Sequence, residues 1–302
     1  MTEPVRVFVG ADRSQLLAVK VLEHSIKRHT QLPVKVVPMV DLPMRTPKDP
    51  RNWQRTGFSF SRFCIPELAG YQGKAIYMDA DMQVFTDIAA LWKIPFEDAK
   101  VVIQQALSDT QQTTQKAGSP RQRVKQCAVM LLDCDRLCWH IEDIIDGFDQ
   151  GKYDYKQLMA ELCILEESEI RYAVPFHWNS LEYYQPGETA LIHYTDMGTQ
   201  PWVHVDNPNG DLWLDEVRLM LADGTLTSSE IQTEIELGYF RPSLLLDLRL
   251  GHRLPKQLRP AFKKLMRLID RPFKPHKEVA RLKKIRVDAV RSQPRPQAQS
   301  YG

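Results

Sequence analysis

Long apolar segments are absent from this sequence, and no run approaches the roughly twenty residues that a membrane-spanning helix requires. The chain also lacks a Gly-x-x-x-x-Gly-Lys phosphate loop, a Gly-x-Gly-x-x-Gly turn and an internal repeat. These absences argue against an integral membrane protein, a P-loop nucleotide hydrolase and a repeat protein. Cysteine is scarce and has no zinc-ligand spacing, so we interpret all five as reduced thiols, mostly in the core: Cys64, Cys127, Cys134, Cys138 and Cys163.

The overall composition is typical of a soluble globular protein. Apolar residues make up 43% of the 302 positions and charged residues 26%, which suits one large α/β domain with appendages. Met1–Pro4 leads directly into the strand-like Val5–Val9, without a basic and then apolar signal segment. We therefore expect a catalytic domain that faces the cytoplasm.

Charge is distributed unevenly along the chain. Residues 249–302 carry 16 Lys and Arg against 3 Asp and Glu, a net charge of +13, whereas residues 1–248 have a net charge of −11. We predict a catalytic domain over residues 1–248 and a basic helical tail over 249–302, with the residues from 292 to 302 disordered. A basic tail on an acidic body favours an anionic partner surface, either a membrane or a nucleic acid.

The tail contains two amphipathic helical patterns, Pro260–Asp270 and His276–Arg291, separated by Pro272 and Pro275. Basic residues flank an apolar stripe in each, which is typical of helices that lie in a membrane interface. Because the tail lacks interleaved aromatic residues for base stacking, we expect no nucleic acid but peripheral attachment to the inner face of an anionic membrane. Packing of the tail on the acidic body is the alternative. The apolar stripe of the first helix comprises Phe262, Leu265, Met266 and Ile269.

The most informative stretch is Lys74–Phe85, where a short apolar run ends in Asp79 and Asp81. The pattern predicts a buried strand. Because side chains at i and i+2 of an extended segment point to the same side, the two carboxylates can face one point, while Ala80 turns away. Carboxylates suit Mg²⁺ and Mn²⁺, which leave positions for substrate phosphates. We predict a divalent cation beside a nucleotide diphosphate; a pair of solvated turn acids is the alternative.

A second strand end carries a histidine. The apolar Ala190–Ile192 is followed by His193 and by a loop that closes on Pro201-Trp202. Two carboxylates and one imidazole would leave an octahedral metal with positions for two phosphate oxygens, so His193 is a candidate third ligand. A structural histidine is the alternative, and we expect Trp202 to pack within the loop.

The start of the chain predicts a strand over Val5–Val9, a turn at Gly10-Ala11-Asp12 and a helix over Ser14–His29. Open α/β sheets bind ligands at such a turn, so Asp12 is a candidate for contacting the base or ribose of a nucleotide. It is equally well placed to cap the helix. A second strand is predicted over Val34–Val40.

Further candidates precede and follow the acidic strand. Trp53, in a Pro-rich loop, is a candidate for stacking on a sugar, and Arg62, on a helix predicted over 57–68, is a candidate for binding a phosphate. A structural ion pair is the alternative for Arg62. Residues 111–126 have almost no large apolar side chains and predict a mobile lid, followed by a strand over 128–132 and a helix over 134–145.

Together these motifs resemble the retaining family 8 glycosyltransferases of the glycogenin and lipopolysaccharide galactosyltransferase type. The resemblance covers residues 5 to 205 and is most specific at Tyr77–Asp81 and His193–Trp202. It implies a GT-A fold, a Rossmann-like nucleotide-sugar-binding α/β fold with a mixed central sheet, and binding of Mn²⁺ or Mg²⁺ by Asp79, Asp81 and His193. The residues implied to contact the donor are Gly10, Ala11, Asp12, Arg62, Tyr77, Asp79, Ala80, Asp81, Gly198 and Gln200.

The sequence departs from the family pattern around the donor. Gln15 stands where an aromatic residue usually stacks on uracil, and Gln200 stands where a lysine usually binds the diphosphate. An Asn-Ala-Gly or Asn-Ser-Gly motif is replaced by Gln126-Cys127-Ala128, and an Asp-Gln-Asp motif by Met159-Ala160-Glu161. Because the lysine is missing, we expect Arg62 or a cation between Arg121 and Lys125 to bind the diphosphate.

The implied reaction moves a hexose from a UDP-sugar to a hydroxyl of a glycan or lipid-linked saccharide with retention of configuration, as in lipopolysaccharide and other polysaccharide biosynthesis. The cation would neutralise the departing diphosphate, and a diphosphate oxygen can take the acceptor's proton. Glu161 is our candidate for the carboxylate beside the anomeric carbon, with Asn179 and Glu182 completing the predicted catalytic group. Trp53 and Trp178 are candidates for acceptor binding.

Two other classes of protein are compatible with parts of the sequence. A nucleotidyltransferase that forms nucleotide sugars has a similar fold, but it normally opens with a Gly-rich, basic phosphate loop, and Gly10–Leu17 is not one. A non-catalytic nucleic-acid-binding protein would explain the basic tail. It would not explain two acids and a histidine at strand ends.

Overall fold

The computed structural model describes residues 3–104 and 125–293. Its strands are β1 Val5–Gly10, β2 Val34–Met39, β3 Lys74–Asp79, β4 Met82–Val84, β5 Val101–Gln104, β6 Val129–Asp133, β7 Ile170–Val174, β8 Ser180–Leu181 and β9 Leu191–His193. The central six-stranded sheet has the order β2-β1-β3-β6-β5-β7, and β4-β9-β8 form a second sheet. Strand β6 is antiparallel to β3 and β5, whereas the other neighbours in the central sheet are parallel. The predicted α/β fold with a mixed central sheet is confirmed.

The helices surround both sheets and continue into the basic tail. They are α1 Leu16–Arg28, α2 Ile65–Leu68, α3 Ala89–Trp92, α4 Ile141–Asp149, α5 Tyr155–Glu161, α6 Gly210–Asp223, α7 Ser228–Glu236, α8 Leu244–Leu250, α9 Arg259–Asp270 and α10 Lys277–Arg291. The predicted helix at 14–29 is confirmed by α1 and the 3₁₀ turn Arg13–Gln15 that precedes it. The two predicted tail helices are confirmed by α9 and α10.

The hydrophobic core lies on both faces of the central sheet. Because alternate side chains of a strand point to opposite faces, Tyr77 of β3 packs in one cluster with residues of α4, whereas Met78 packs in a second cluster with residues of α1. A third cluster joins the other side of α1 to α6, α7 and α8 around Trp202 and Trp213. The helices that follow β9 are therefore part of the folded body.

Two predicted helices are wrong. Over 57–68 the chain forms turns, a 3₁₀ helix at Ser61–Cys64 and only one turn of α2. Pro66 explains this, because proline has no N–H to bond the carbonyl of Arg62 four residues earlier. Over 134–145 the helix begins only at Ile141, because the N–H groups of Arg136 and Leu137 both bond the carbonyl of Asp133 and close a separate turn.

The first tail helix packs on the body. Met266 of α9 is completely buried, Arg267 pairs with Asp206, and Asp270 accepts hydrogen bonds from Ser243. The expectation that the whole stripe with Phe262 and Met266 faces a membrane is therefore wrong, since this protein covers much of it. The predicted boundary at 248/249 lies inside α8.

Most of the predicted lid, with residues 105–124, and most of the predicted disordered end, with residues 294–302, lie outside the described residues. The cysteines are free thiols, of which Cys138 and Cys163 are exposed and the other three buried. Within 3–104 and 125–293, no helix has the length and apolarity that crossing a membrane would need.

Candidate active site

The two acids and the histidine meet because two strands end at the same place. Asp79 is the last residue of β3, Asp81 precedes β4, and antiparallel pairing of β4 with β9 sets His193 opposite Met82. His193 Nε2 lies 3.0 Å from Asp81 Oδ1 and 3.9 Å from Asp79 Oδ2. One ligand atom from each residue lies within 4.8 Å of the others. The three side chains can therefore hold one metal ion.

The imidazole ring is oriented by a buried amide. Asn179 Nδ2 donates to Gln104 Oε1 at 2.6 Å, which turns Asn179 Oδ1 toward His193 Nδ1 at 2.9 Å. An amide oxygen can only accept, so His193 carries a proton on Nδ1 and directs Nε2 at the two acids. Metal-binding histidines are commonly oriented in this way by a partner on the other ring nitrogen. Asn179, predicted as catalytic, is thus placed as a positioning residue.

Each acid has one oxygen bonded by the protein and one directed at His193. The Tyr77 hydroxyl donates to Asp79 Oδ1 at 2.5 Å, and Gln200 Nε2 donates to Asp81 Oδ2 at 2.9 Å. The remaining oxygens, Asp79 Oδ2 and Asp81 Oδ1, are the ones that face the imidazole. Gln200 is 1% exposed and also donates to the carbonyl of Tyr194, so it supports Asp81 from behind.

Arg62 lies behind the first acid. Its guanidinium donates to the Tyr77 hydroxyl at 3.0 Å and to the carbonyl of Cys127 at 2.8 Å, and it lies 3.6 Å from Asp79 Oδ1. Burial alone would lower the pKa of Arg62, but neighbouring Tyr77 and Asp79 hold it above its usual value. Burial raises the pKa of Tyr77 well above its usual value, so its hydroxyl remains a donor. Arg62 therefore fixes Tyr77 and Asp79.

Replacing Arg62 by Ala should weaken binding of Mn²⁺ with UDP by about 1.5–3 kcal/mol, the range for a hydrogen bond to a charged group. Because the arginine acts through the Tyr77 hydroxyl, Tyr77→Phe should also weaken binding. Calorimetry on both variants, after thermal melting has shown that they are folded, tests this. Unchanged affinity in Tyr77→Phe together with weakened affinity in Arg62→Ala would instead indicate direct contact of Arg62 with the phosphate.

Gly10, at the end of β1, lies close to the Tyr77 side chain. A Cβ on Gly10 would lie 2.5 Å from the Tyr77 hydroxyl oxygen and 3.1 Å from Phe58, so a side chain there would displace the hydroxyl that holds Asp79. Asp12 caps the following turn by accepting from Ser14 N–H at 2.8 Å, while Gln15 bonds back to Asp12 N–H. Gln15 thus completes a capping box, and the half-buried Asp12 stays a candidate for base contact as well.

Glu182 and Glu161, the two predicted catalytic acids, differ in their hydrogen bonds to the site. Glu182 has a left-handed backbone, its carboxylate accepts from Asp196 N–H at 2.8 Å, and its own N–H donates to the carbonyl of His193. Burial raises the pKa of Glu182. Glu161 ends α5, and the described residues show no hydrogen bond or ion pair that joins it to the three ligands.

The remaining predicted residues are three small residues, which were expected to contact the donor, and the tryptophans. Ala11 and Ala80 are buried beside the acids, and Gly198 lies in the exposed turn after His193. Trp178 is 2% exposed within the core, so we assign its ring to packing, whereas Trp53 is half-buried and donates to the carbonyl of Pro47. Trp202 packs against Trp213 and Phe240, as expected for loop packing. Sequence reasoning missed Gln104, whose signal is a polar residue that ends the apolar run of β5.

Comparisons with known proteins agree with this geometry. The model of glycosyl transferase family 8 matches residues 11–139, which include Arg62, Asp79 and Asp81. Protein CDI of Arabidopsis thaliana is 29% identical over 238 residues, covering 71% of this chain and 86% of that protein.

Solved glycosyltransferases share the fold. The bifunctional glycosyltransferase WbbM superposes with a TM-score of 0.52 at 14% identity, covering 72% of this chain and 50% of WbbM. Glycosyltransferase GlyE of Streptococcus pneumoniae gives 0.51 at 13%, covering 71% and 60% of the two chains. The galactosyltransferase LgtC gives 0.50 at 14%, covering 76% and 100%. This chain therefore spans between half and three fifths of WbbM and GlyE and the full length of LgtC.

The strand-end acids and the fold agree with the resemblance seen in the sequence, and the family model covers the part of the chain that carries the acids. Residues 11–139 match the model of glycosyl transferase family 8, and the chain has the GT-A fold of a glycosyltransferase.

Proposed function

We propose that the protein transfers a hexose from a UDP-sugar to a hydroxyl of a glycan or lipid-linked saccharide, with retention of configuration, and that Asp79, Asp81 and His193 bind Mn²⁺ or Mg²⁺ for this reaction. The observation that carries the proposal is the convergence of these three side chains at the joined ends of β3 and β9. The LgtC structure, which has the same fold, contains donor and acceptor sugar analogs. The similarity to LgtC supports the proposal that this chain also has one donor site and one acceptor site.

The three side chains fit a divalent cation in their chemistry. Asp79 Oδ2, Asp81 Oδ1 and the lone pair of His193 Nε2 converge, while Tyr77, Gln200 and Asn179 occupy the opposite side of each ligand. Two oxygens and one imidazole nitrogen suit Mn²⁺ or Mg²⁺. The supporting bonds fix the ligands before substrate binds, which limits the cost of reorganisation.

In the proposed reaction, the protein mainly positions the two substrates. A divalent cation bound by the three ligands supplies positive charge that offsets the charge of the leaving diphosphate. Asp12, at the turn that follows β1, binds the base or ribose in this proposal. The acceptor hydroxyl approaches from the leaving-group side and gives its proton to a diphosphate oxygen. Glu161 or Glu182 stabilises the developing positive charge on the sugar, and Trp53 binds the acceptor.

The test is a screen of nucleotide sugars against the full chain with Mn²⁺, read as thermal shift and as hydrolysis. A ligand at a hundred times its dissociation constant stabilises the fold by about 2.7 kcal/mol. We expect a UDP-sugar to stabilise the protein and to be hydrolysed slowly, with both effects lost in chelator. Hydrolysis at full rate in chelator would contradict the metal assignment. Release of pyrophosphate from a nucleoside triphosphate and a sugar phosphate would instead indicate a nucleotidyltransferase.

A lipid-linked acceptor requires access to a membrane, and α9 has a second apolar surface that could supply it. Leu258, Leu265 and Leu268 are 53%, 47% and 64% exposed, and the exposed Lys264 lies next to them. Exposed leucines among basic residues suit an anionic lipid surface, and each basic residue near it contributes about 1 kcal/mol. We propose that this surface attaches the enzyme peripherally to the inner face of a membrane.

Replacing Leu265 and Leu268 by Gln in one variant, and Lys264 by Gln in another, should each reduce co-sedimentation with phosphatidylserine vesicles. The wild-type binding should fall as salt rises, because part of it is electrostatic. Vesicles of phosphatidylcholine alone are the control for charge, and donor hydrolysis should stay unchanged in both variants. Undiminished vesicle binding by both variants would refute attachment through α9.

A further inference from the structure

A cavity of about 500 Å³ lies between residues 49–55 and residues 148–157. The first segment is part of the loop after β2, and the second runs from the end of α4 to the first turn of α5. Asp79, Asp81 and His193 are not among the residues that line this cavity. Its volume falls within the roughly 300–1,000 Å³ of small-molecule sites, so it has room for more than a single small ion.

Part of the cavity wall is aromatic, formed by Phe148, Tyr153 and Tyr155. The Tyr153 hydroxyl donates to the carbonyl of Ile144 at 2.9 Å, and its ring meets Phe148 edge-on with the ring centres 5.2 Å apart. Gly147 permits this position, because a Cβ there would overlap the Tyr153 hydroxyl. The aromatic wall is therefore fixed by the core, and its apolar ring surface suits the C–H face of a sugar ring.

Asn52 presents a hydrogen-bond donor to the same cavity. The residue is only 8% exposed, and its Oδ1 accepts from Tyr155 N–H at 3.0 Å, which fixes the orientation of the amide because a backbone N–H can only donate. Asn52 Nδ2 forms no hydrogen bond with any residue that the structure describes, and it is not among the atoms that the protein encloses completely. Since Asn52 lines the cavity, its N–H groups are available to a ligand there.

Two cations line the cavity, and no carboxylate of the described residues pairs with either one. The guanidinium carbon of the half-buried Arg55 lies 4.1 Å from the centre of the Tyr155 ring, and its N–H groups donate to two backbone carbonyls. Lys156 is exposed in the first turn of α5. By contrast, the buried Lys125, one of the cations expected at the diphosphate, pairs with Glu167 at 2.7 Å.

The two carboxylates of the cavity are bonded by the protein itself. Asp49 pairs with Arg51 at 2.6 Å, and Arg51 holds the pKa of this carboxyl below its usual value. Asp154 caps α5 by accepting from Gln157 N–H at 2.9 Å. Three cations line the cavity against these two acids, so positive charge and hydrogen-bond donors predominate. This balance favours a ligand with negatively charged oxygens.

We propose that this cavity binds a sugar that carries a phosphate or a carboxylate. The aromatic rings would pack against the sugar, while Asn52, Arg55 and Lys156 bind the charged group. A guanidinium can donate two parallel hydrogen bonds to either kind of anion, so the two charged groups share one chemistry of recognition. The inference goes beyond the proposed function, because it concerns a second ligand that binds without metal and without a nucleotide.

Calorimetry on the full chain, without Mn²⁺ or UDP, tests this with glucose-6-phosphate and glucuronate as probes of the two charged groups. We expect at least one of them to bind, and we expect glucose and inorganic phosphate to bind about 10-fold more weakly or less, since each lacks half of the recognised chemistry. Binding of only one of the two probes would identify the charged group that the cavity prefers.

Two variants locate the site. Arg55→Gln should weaken binding by about 10-fold to 100-fold, the range of one hydrogen bond to a charged group. Asn52→Asp keeps the oxygen that bonds Tyr155 but replaces the donor by a negative charge, so it should weaken binding at least as much. Lys35→Gln removes an exposed cation of β2 outside the cavity and should change the affinity less than about threefold. Thermal melting should show that all three variants are folded.

Several outcomes would overturn the inference. Absence of binding by both probes would do so, as would glucose or inorganic phosphate that binds as tightly as the better probe. Unchanged affinity in both Arg55→Gln and Asn52→Asp would place the ligand elsewhere. An equal loss of UDP affinity with Mn²⁺ in these variants would assign the cavity to the donor. Failure of the proposed function is distinguishable, because wild-type protein would then bind the charged sugar but no UDP with Mn²⁺.

Discussion

Asp79→Asn, Asp81→Asn and His193→Ala are each expected to reduce transfer or hydrolysis of a nucleotide sugar by about 100-fold or more. Each change removes one of the three proposed protein ligands or its charge. Losing a residue that merely orients a ligand commonly costs 10-fold to 100-fold, so losing the ligand should cost at least as much. Initial rates at several Mn²⁺ concentrations, up to saturation where it can be reached, measure the effect.

Two further variants in the same assay are expected to lose less activity or none. Asn179→Ala removes the partner that orients His193 but no ligand, so activity should fall by about 10-fold to 100-fold and recover partly at high Mn²⁺. Asp135→Asn changes an exposed acid away from the site and should leave the rate unchanged. If the three ligand variants keep the wild-type dependence on Mn²⁺, the metal is bound elsewhere and the assignment fails.

The positions of Asp79, Asp81 and His193 at strand ends could be predicted because the signals for them are local. Alternation along β3 puts Asp79 and Asp81 on one side, and a histidine directly after an apolar run predicts a side chain at a strand end. The pairing of β4 with β9, which brings His193 to the acids, is a non-local contact. The only sequence signal for this pairing was that two carboxylates and an imidazole can bind the same metal ion.

The residues around the ligands could not be assigned in the same way, because the direction of a side-chain hydrogen bond depends on neighbours distant in sequence. Arg62 was expected at a phosphate, but the carbonyl of Cys127 and the hydroxyl of Tyr77 hold it behind Asp79. Asn179 was expected near the sugar, but Gln104 turns its oxygen to His193. Polar residue types at these positions were informative, whereas their roles required the fold.

The tail shows a second limit of sequence patterns. Its two helices were predicted within one or two residues, because proline and charge mark their ends clearly. An apolar stripe shows that a helix face is covered, but it does not say by what. In α9 the protein itself covers Met266, and exposed leucines lie on the rest of the surface.

Asp247→Ala is expected to lower the free energy of unfolding by about 3 kcal/mol, the low end of the range for breaking a buried ion pair, because Asp270 Oδ2 lies 4.0 Å from Arg241 Nη1 and still offsets part of its charge. Arg241 is 1% exposed and is bonded to Asp247, to Ser243 and to the carbonyl of Pro201. Asp270, at the end of α9, bonds the same serine. This network joins the loop after His193 to α8 and α9.

Urea denaturation measures the loss, and two variants serve as comparisons. Asp215→Ala breaks an exposed pair with Arg218 and should cost less than about 1 kcal/mol. The double variant Arg241→Met, Asp247→Leu removes both charges and should recover much of the stability lost by Asp247→Ala, because well-packed apolar residues can replace a buried pair. If Asp247→Ala costs no more than Asp215→Ala, Arg241 finds solvent and the network does not fix the tail. A loss of the expected size would mean that packing continues across residue 249, where the charge of the sequence changes sharply. Asp247 lies before this position and Asp270 after it, and both bond the same network.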